Sequence, residues 1–482
     1  NEYMGLLLFD IDIDGDLDLY AVSGGGEYVF PSDKYADHLY LNDGRGNFKL
    51  QVDGVSSDLQ FSGSIARAAD FDKDGDLDVF VGGRVVPASY PYPSQSVLLE
   101  NQGGRLVDVT ASKAPFLADA GMITDMLWTD YNADGLVDMV LVGEFMPITF
   151  VKNEDGAYRV DLSTGLLEKK GWWNSIVSGD FDKDGDTDYV AGNLGENNYY
   201  RATMEQPLRA YAKDFDGNAS VDLIMSCYFK TDNGEMKEFP LHFWDEMNSQ
   251  SPMFRKMFSR YKQFGKITMA ELFTKQQLEG ALILEANYMK SSYIENLGNG
   301  TFKMTALPIR AQIAPINGMV ATDVNSDGHL DVLMVGNDYG NEVFPGRYDA
   351  LTGLLLFGDG KGNFSPVLSA KSGFLVEGDA KSLVRLSSVA GNDIFVASQN
   401  RGDLKVFGLP NDAFKGTVVK TEPTDFYALL KHSGGQTERV ELTYGSGFLS
   451  QSSRTIRIPE GVTQVEIFDF SGDSRVISSS NQ

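Results

Sequence analysis

The sequence predicts an all-β fold built from repeated four-stranded units, and three observations carry that expectation. First, an aspartate-rich nonapeptide recurs six times, starting at Asp10 (DIDIDGDLD), Asp70 (DFDKDGDLD), Asp130 (DYNADGLVD), Asp180 (DFDKDGDTD), Asp214 (DFDGNASVD) and Asp323 (DVNSDGHLD). Second, each copy follows a short apolar stretch and precedes one rich in β-branched or aromatic residues, such as VFVGGR or VLMVGN, which reads as strand, loop, strand. Third, an Asn/Asp/Gly cluster between alternating apolar residues follows most loops: LYLNDGRGNFKL, LLENQGGRLVDV, TFVKNEDGAYRV, YIENLGNGTFKM and LLLFGDGKGNFSPV. Such clusters mark hairpin turns. One unit is therefore strand, acidic loop, strand, strand, glycine hairpin, strand.

A sheet of this kind has two faces to bury and two edges to protect, and radial packing of successive sheets solves both problems. The expected architecture is a seven-bladed β-propeller over residues 1–411. Six blades carry acidic loops. A degenerate seventh follows Phe374, where SLVRLSSVAGNDIFVASQNRGDLKVFGL keeps the strand rhythm without the aspartates. Blade four looks thin, because only NNYYRATMEQ separates its second strand from the next unit.

The loop starts are 60, 60, 50, 34 and 109 residues apart, so the last gap holds more than one blade. It contains SPMFRKMFSRYKQFG, with Ser251 and Pro252 placed as N-cap and first helical residue and Phe254, Met257, Phe258, Tyr261 and Phe264 on one stripe. TMAELFTKQQLEG follows, with Thr268 and Glu271 as a capping box. Two short helices are thus expected to interrupt blade five, within about residues 236–290. Their apolar stripe reads as core. The basic residues Arg255, Lys256, Arg260, Lys262, Lys266 and Lys275 read either as charge balance on a solvated face or as a docking surface for an acidic partner. Beyond 411 the pattern changes to a small β-domain, 412–482, in which Val440, Leu442 and Tyr444 alternate with Arg439, Glu441 and Thr443 as a half-buried strand.

The chain has 482 residues and a formal net charge of −27, which argues against nucleic acid or an anionic membrane surface as partner and favours cations. Its single cysteine, Cys227, excludes an intrachain disulfide and sits in an apolar strand context, the setting of an inert buried thiol. No apolar run is long enough to span a membrane. The opening NEYMGLLLFD begins inside a strand and reads as a mature or truncated product.

Within each nonapeptide, side-chain oxygens fall at positions 1, 3, 5 and 9, and glycine stands at position 6 in five of the six. A hard cation taking six to eight oxygens needs several carboxylates converging on one point and a glycine where the chain turns sharply. The expected ligands in the first loop are Asp10, Asp12, Asp14 and Asp18, with the carbonyl of Asp16 at position 7. The others follow in the same register: Asp70, Asp72, Asp74, Asp76 and Asp78; Asp130, Asn132, Asp134, Leu136 and Asp138; Asp180, Asp182, Asp184, Asp186 and Asp188; Asp323, Asn325, Asp327, His329 and Asp331. The loop of Asp214, Asp216, Asn218, Ser220 and Asp222 carries its glycine at position 4 instead.

An EF-hand would close with a bidentate Glu at position 12. That position holds Ala21, Val81, Leu141, Ala191, Met225 and Met334, none with a side-chain oxygen, so an EF-hand is excluded. Calcium is expected over magnesium, which resists dehydration. A single acidic loop could be a solvated turn, but six copies in one register could not. The loops hold 24 aspartates, and six Ca²⁺ would take the formal charge from −27 to −15. Sites in extracellular modules bind at about 10⁻⁴–10⁻³ M, which implies export.

These loops and glycine hairpins resemble FG-GAP/VCBS-type repeats, the calcium-binding propeller repeats also found in integrin α-chains. GSGFLSQSS, Gly445–Ser453, is similar to the core of the ASPIC/UnbV domain that follows such repeats in cartilage-acidic-protein-like chains, although the usual Trp-Pro near the end is missing. The resemblance implies export and an interaction role, with five to six calcium ions.

Signals for an enzyme are thin. The four histidines, His38, His242, His329 and His432, stand in unrelated contexts, and there is no nucleophile elbow. Trp172 and Trp173 at a strand start read as core before platform. Arg401-Gly402-Asp403 is a three-residue match in an expected turn, where Gly-Asp is favoured anyway. The expected function is a secreted or cell-surface scaffold that binds other proteins or surface glycans. It could serve as a subunit of an outer-envelope complex, tethered to the outer membrane of a Gram-negative bacterium. The alternative is a carbohydrate-binding or polysaccharide-cleaving propeller.

Overall fold

In the computed structural model, which describes residues 2–56, 59–258, 260–341, 345–387, 392–409 and 414–478, each acidic loop joins two antiparallel strands. The first unit is β1 (Tyr3–Phe9), β2 (Asp18–Ser23), β3 (His38–Asn42) and β4 (Phe48–Leu50). The second is β5 (Gly63–Ala69), β6 (Asp78–Gly83), β7 (Val97–Asn101) and β8 (Leu106–Asp108), and the third β9 (Met122–Thr129), β10 (Asp138–Pro147), β11 (Thr149–Glu154) and β12 (Ala157–Val160). Each meanders antiparallel in chain order. Apolar residues of the paired strands are buried on both faces, so the units are closed between neighbours as a propeller requires.

The fourth unit departs from expectation. It opens with β13 (Lys170–Gly179) and β14 (Asp188–Asn193), after which the chain leaves to build β15 (Leu208–Lys213), β16 (Asp222–Lys230), β17 (Met236–Pro240) and β18 (Leu282–Ala286) as a separate sheet. It then returns as β19 (Ser292–Asn296) and β20 (Phe302–Ala306), which pair with β14 and complete the sheet. Blade four is therefore not thin, and the YIENLGNGTFKM hairpin belongs to it. The Asp214 unit is an insertion inside blade four, not a fifth member of the series.

The fifth sheet is β21 (Ile316–Thr322), β22 (Asp331–Gly336), β23 (Leu354–Gly358) and β24 (Phe364–Val367). The sixth has three strands, β25 (Ala380–Ser387), β26 (Asp393–Gln399) and β27 (Lys405–Gly408). The all-β, propeller-like fold stands, but six sheets follow one another by their first strands where seven were expected.

Side chains on these first strands reach the next one. Ser64 Oγ donates to the Ile123 carbonyl at 2.7 Å, Thr124 Oγ1 to Trp173 O at 2.9 Å and Asn317 Nδ2 to Ala380 O at 2.9 Å. Arg67 on β5 is buried and pairs with buried Asp125 on β9, while also donating from Nε to Met126 O at 3.1 Å. Asp125 in turn accepts from Ile176 N on β13 at 3.1 Å, so one ion pair ties three sheets.

The inserted sheet lies against β10 and β13. Its helical part has five short turns, Trp244–Gln250, Pro252–Met257, Tyr261–Phe264, Met269–Leu272 and Lys275–Leu278, in place of two helices. Ser251 caps as expected, accepting from Met253 N, and Thr268 with Glu271 forms the capping box. The stripe breaks at extended Phe258, so Phe254, Phe258 and Phe264 are buried while Met257 and Tyr261 are exposed. Cys227 on β16 is buried, and burial pushes its thiol up to about 12, which fits an inert packing role. Trp173 is fully buried and Trp172 packs on Phe145 and Tyr200. Arg401–Asp403 caps the exposed β26–β27 turn. No helix of the described residues is long and apolar enough to cross a membrane.

The carboxy-terminal strands are β28 (Gly416–Lys420), β29 (Asp425–His432), β30 (Thr437–Glu441), β31 (Thr455–Pro459), β32 (Val462–Asp469) and β33 (Ser474–Ser478), in two small sheets. The boundary expected at 411/412 lies outside the described residues. Residues 445–453 thread between the first strands. Gly447 O accepts from Arg67 at 2.9 Å, and a Cβ at Gly445, whose φ is +74°, would sit 2.9 Å from Ala66 O. Gln451 bonds both backbone groups of Leu8 on β1, at 3.0 and 2.8 Å, while Ser452 Oγ and Ser453 N bond those of Arg385 on β25, at 3.0 and 2.8 Å. The two ends of the series are joined through three consecutive residues.

Replacing Arg67 with Met should strand the buried Asp125 charge and destabilise the whole propeller by about 3–5 kcal/mol. Urea denaturation of wild type and variant checks this; a loss under 1 kcal/mol would refute the three-sheet tie.

Candidate metal centres

The nonapeptides share one backbone shape. Position 4 is left-handed at Ile13, Lys73, Ala133, Lys183 and Ser326, with φ between +56° and +66°, and position 6 is glycine with φ between +78° and +97°. In the Asp214 loop the two residue types exchange places: Gly217 at position 4 has φ +76° and Ala219 at position 6 has φ +66°. The displaced glycine therefore leaves the loop geometry intact.

What imposes this shape is the first aspartate. Asp70 accepts from Asp74 N and Gly75 N, both at 3.1 Å, and Asp10 and Asp130 do the same in their loops. The position 5 side chain then accepts from the position 7 amide, as in Asp74 to Asp76 at 3.2 Å, Asp134 to Leu136 at 3.0 Å and Asn218 to Ser220 at 2.7 Å. Short polar side chains closing on nearby amides are the ordinary route to such turns.

The ninth position is different in kind. Asp18, Asp78, Asp138, Asp188, Asp222 and Asp331 are all buried. Asp78 accepts from Phe71 N at 3.1 Å within its own loop and from Asn101 N at 2.8 Å in the glycine hairpin. Asp18 with Ile11 and Asn42, Asp188 with Phe181 and Asn296, and Asp331 with Val324 and Gly358 repeat the pattern. The hairpin asparagine completes the tie, and two reach the preceding sheet: Asn101 Nδ2 donates to Ile11 O and Asn296 Nδ2 to Tyr131 O, at 2.9 and 2.8 Å.

Carboxylate oxygens converge in five loops, each set lying within 4.8 Å: Asp10, Asp12 and Asp18; Asp70, Asp72 and Asp78; Asp130, Asp134 and Asp138; Asp180, Asp182 and Asp184; Asp214, Asp216 and Asp222. In the sixth, Asn325 contributes an amide between Asp323 and Asp327, and donates to Asp327 at 3.0 Å. Several inward oxygens are buried with no hydrogen-bond partner: Asp180 Oδ1, Asp72 Oδ1, Asp138 Oδ2 and, at position 7, Asp16, Asp76 and Asp186 Oδ1. The expected contribution of position 7 is its main-chain carbonyl; the side chains of Asp16, Asp76 and Asp186 stand outside the converging sets but each keeps a buried, unpaired oxygen. His329 fills that position in the sixth loop and packs on Gly360.

Burial, reinforced by the neighbouring carboxylates, raises Asp78 to about 9, Asp138 and Asp188 to about 8, Asp76, Asp180, Asp186 and Asp331 to about 7 and Asp70 to about 6. Asp214 moves the other way, because backbone amides bond its charged form. For the raised groups, stability falls as pH climbs from the ordinary 3.8 through these values, since the folded chain must give up protons that burial favours. A divalent cation removes that penalty. Hard oxygen donors, several anionic, with buried oxygens left unpaired, fit such an ion.

Sequence reasoning also missed a second charge partner. Arg439 on β30 is buried, donates to Asp130 Oδ2 at 3.0 Å and sends its amide to Asp180 Oδ2 at 3.4 Å. Glu441 accepts from Asp130 N at 3.0 Å and Thr129 Oγ1 at 2.9 Å. The polar edge of this strand faces the third and fourth acidic loops.

Together the fold and loops define a class: a propeller-like protein whose first two strands in most sheets are joined by an acidic loop with converging carboxylates. The family model for the FG-GAP-like repeat matches residues 10–81 and 130–191, so these segments are similar to FG-GAP-like repeats. No curated protein matches the chain at a significant level.

Asp78→Ala should destabilise the cation-free protein by about 2–4 kcal/mol, because it orphans two buried amides, and should lower the cation-induced stabilisation as well. Asp72→Asn should leave the cation-free protein within about 0.5 kcal/mol of wild type and lower only the cation-induced stabilisation. Thermal melts of both variants, in chelator and in millimolar calcium, separate the two roles.

Proposed function

We propose that this chain is a secreted or cell-surface β-propeller, stabilised by calcium, that acts as a binding or scaffold module for other macromolecules. The carrying observation is the set of converging, buried and partly unpaired carboxylates at one corner of successive sheets. Calcium suits it better than magnesium, because six to eight flexible oxygen ligands are available and the cage is made of protein. The side chains at positions 1, 3, 5 and 9, with the position 7 carbonyl or carboxylate, would hold the ion. The chemistry it supplies is charge neutralisation, which serves the fold rather than a reaction. Weak extracellular-type sites would fill only outside the cytosol, which supports export.

The binding role rests on the FG-GAP-like repeats and on what the repeats leave free. Between Met247 and Ala270 the chain has no acidic residue and carries Arg255, Lys256, Arg260, Lys262 and Lys266, all exposed, beside exposed Met257 and Tyr261. In a chain of net charge −27 this face favours an acidic protein partner, as in an envelope complex. A carboxy-terminal ASPIC/UnbV-like unit from about 412 to 482 is part of the same reading.

Chelation should lower the melting temperature sharply. At tenfold excess over its dissociation constant each ion contributes about 1.4 kcal/mol, so several sites together rival the stability of the fold. A melt unchanged by EGTA would remove calcium from the reading. Affinity isolation from native envelopes in millimolar calcium should recover a partner that is lost when Arg255, Lys256 and Arg260 are changed to Glu; recovery undiminished by those changes would place the interface elsewhere.

A further inference from the structure

A cavity of about 210 Å³ lies between the propeller and the carboxy-terminal sheets, walled by β13, β21, β25, β30 and β31. Its floor is apolar, with Leu127, Ile176 and Met319, and its rim is rich in hydroxyls, including Thr322 and Thr455. Its wall carries charges of both signs, with Asp323, Glu438 and Glu441 among the arginines. Arg385 and Arg457 both face Asp393, whose Oδ2 takes Arg457 at 2.7 Å but lies 4.0 Å from Arg385 Nε. The other Asp393 oxygen accepts from Ser387 Oγ at 2.9 Å.

Arg385 is left with contacts no shorter than 3.4 Å, to Thr322 Oγ1 and to Thr455 O and Oγ1. Its side chain is only 15% exposed. The other charged residues among the described lining have short partners, Asp323 accepting from Ser326 N at 2.6 Å and Gly328 N at 2.9 Å. Arg439 pairs with Asp130, Arg454 donates to the Asp425 carbonyl at 2.6 Å, Glu438 bonds His432 at 3.2 Å, and Glu441 accepts from Thr129 and Asp130.

We propose that this cavity binds a small carboxylate-bearing molecule, with Arg385 as the residue that receives the carboxylate. Guanidinium presents a rigid fork that matches a carboxylate through two parallel hydrogen bonds. With Arg457 holding Asp393 at 2.7 Å, Arg385 has no carboxylate at hydrogen-bond distance, and its fork is left to receive one where its side chain is only 15% exposed. The volume holds a single hexose-sized molecule, and the hydroxyl rim suits a ligand with hydroxyl or amide groups beyond the carboxylate. A sugar acid and a peptide-like carboxylate share this chemistry. The sixth acidic loop contributes Asp323, Gly328 and His329 to the wall, so the titrations below are run both in millimolar calcium and in chelator; the insertion takes no part.

The test is isothermal titration of the full chain with galacturonate, N-acetylalanine and galactose. At least one of the two carboxylates should bind tenfold or more tightly than galactose, and whichever is tighter names the source. Arg385→Gln should weaken that binding at least tenfold. In the wild-type protein the Arg385 Nε–Hε resonance should move on titration with the carboxylate, a readout that survives even if the variant fails to fold. Equal binding of galactose, an unaffected Arg385→Gln protein, or an unmoved Arg385 resonance would each overturn the assignment.

Discussion

The buried carboxylate at the ninth position of each acidic loop is the constraint from which the rest follows. Moving a carboxylate out of water costs several kcal/mol unless charge and hydrogen bonds compensate it. At Asp18, Asp78, Asp188 and Asp331 two backbone amides, one from the loop and one from the hairpin, supply bonds of about 1.5–3 kcal/mol each to a charged acceptor, while Asp138 keeps only the hairpin amide and Asp222 only the loop amide. They do not suffice: with its two amides in place, Asp78 is still raised to about 9. The shortfall is what a cation makes good. The same two bonds explain why the acidic loop and the glycine hairpin travel together along the chain. The hairpin is the loop's hydrogen-bond partner across the sheet, so one without the other would leave either a buried charge or buried amides unsatisfied.

The carboxy-terminal residues complete what the repeats cannot. Six sheets laid side by side leave a first strand and a last strand to be joined, and here the join is made by Gln451, Ser452 and Ser453 binding the backbones of Leu8 and Arg385. Side-chain amides and hydroxyls can bond a strand in either direction, so they bridge two strands without belonging to a sheet. Gly445 and Gly447 make the approach possible, because a Cβ at either would meet backbone oxygen. Arg439 and Glu441 extend the same contact onto the third and fourth acidic loops, placing a cation and an anion where the loops present carboxylates and free amides.

Much of this was legible in the sequence because it is periodic. The loop register, the left-handed turn and the hairpin all follow from residue types at fixed spacing, and in five loops the structure brings three of the spaced carboxylates within 4.8 Å of one another. Three features were not legible, each for a physical reason. Sequence order suggested that YIENLGNGTFKM closes the unit that begins at Asp214, yet Tyr293 and Asn296 bond Asp188 from 105 and 108 residues away. An insertion between the second and third strands of a sheet leaves no local mark, since both flanks look like ordinary strands. Alternation in β30 identified the apolar side through Leu442 and Tyr444 but could not say that Arg439, on the other side, meets carboxylates rather than water. The helical stripe at Phe254–Phe264 has the right spacing, but its turns are too short to keep one face, and the break at Phe258 sends Met257 and Tyr261 outward.

The Asp214 loop shows that backbone shape, more than residue identity, defines these sites. Gly217 and Ala219 exchange the roles of positions 4 and 6 and the carboxylates still converge. Its position outside the six-sheet series changes what it can stabilise. Ser251, buried at the start of a helical turn, donates to Asp216 at 2.8 Å, and Phe215 stacks on Phe273 at 4.4 Å between ring centroids. A cation held in this loop would therefore brace the helical insertion against β15 and β16 rather than one blade against the next. The short turns have little stability of their own. Anchoring them through the loop is what would hold the exposed basic residues in a fixed arrangement, so the one acidic loop that left the ring is also the one coupled to the surface that does not repeat.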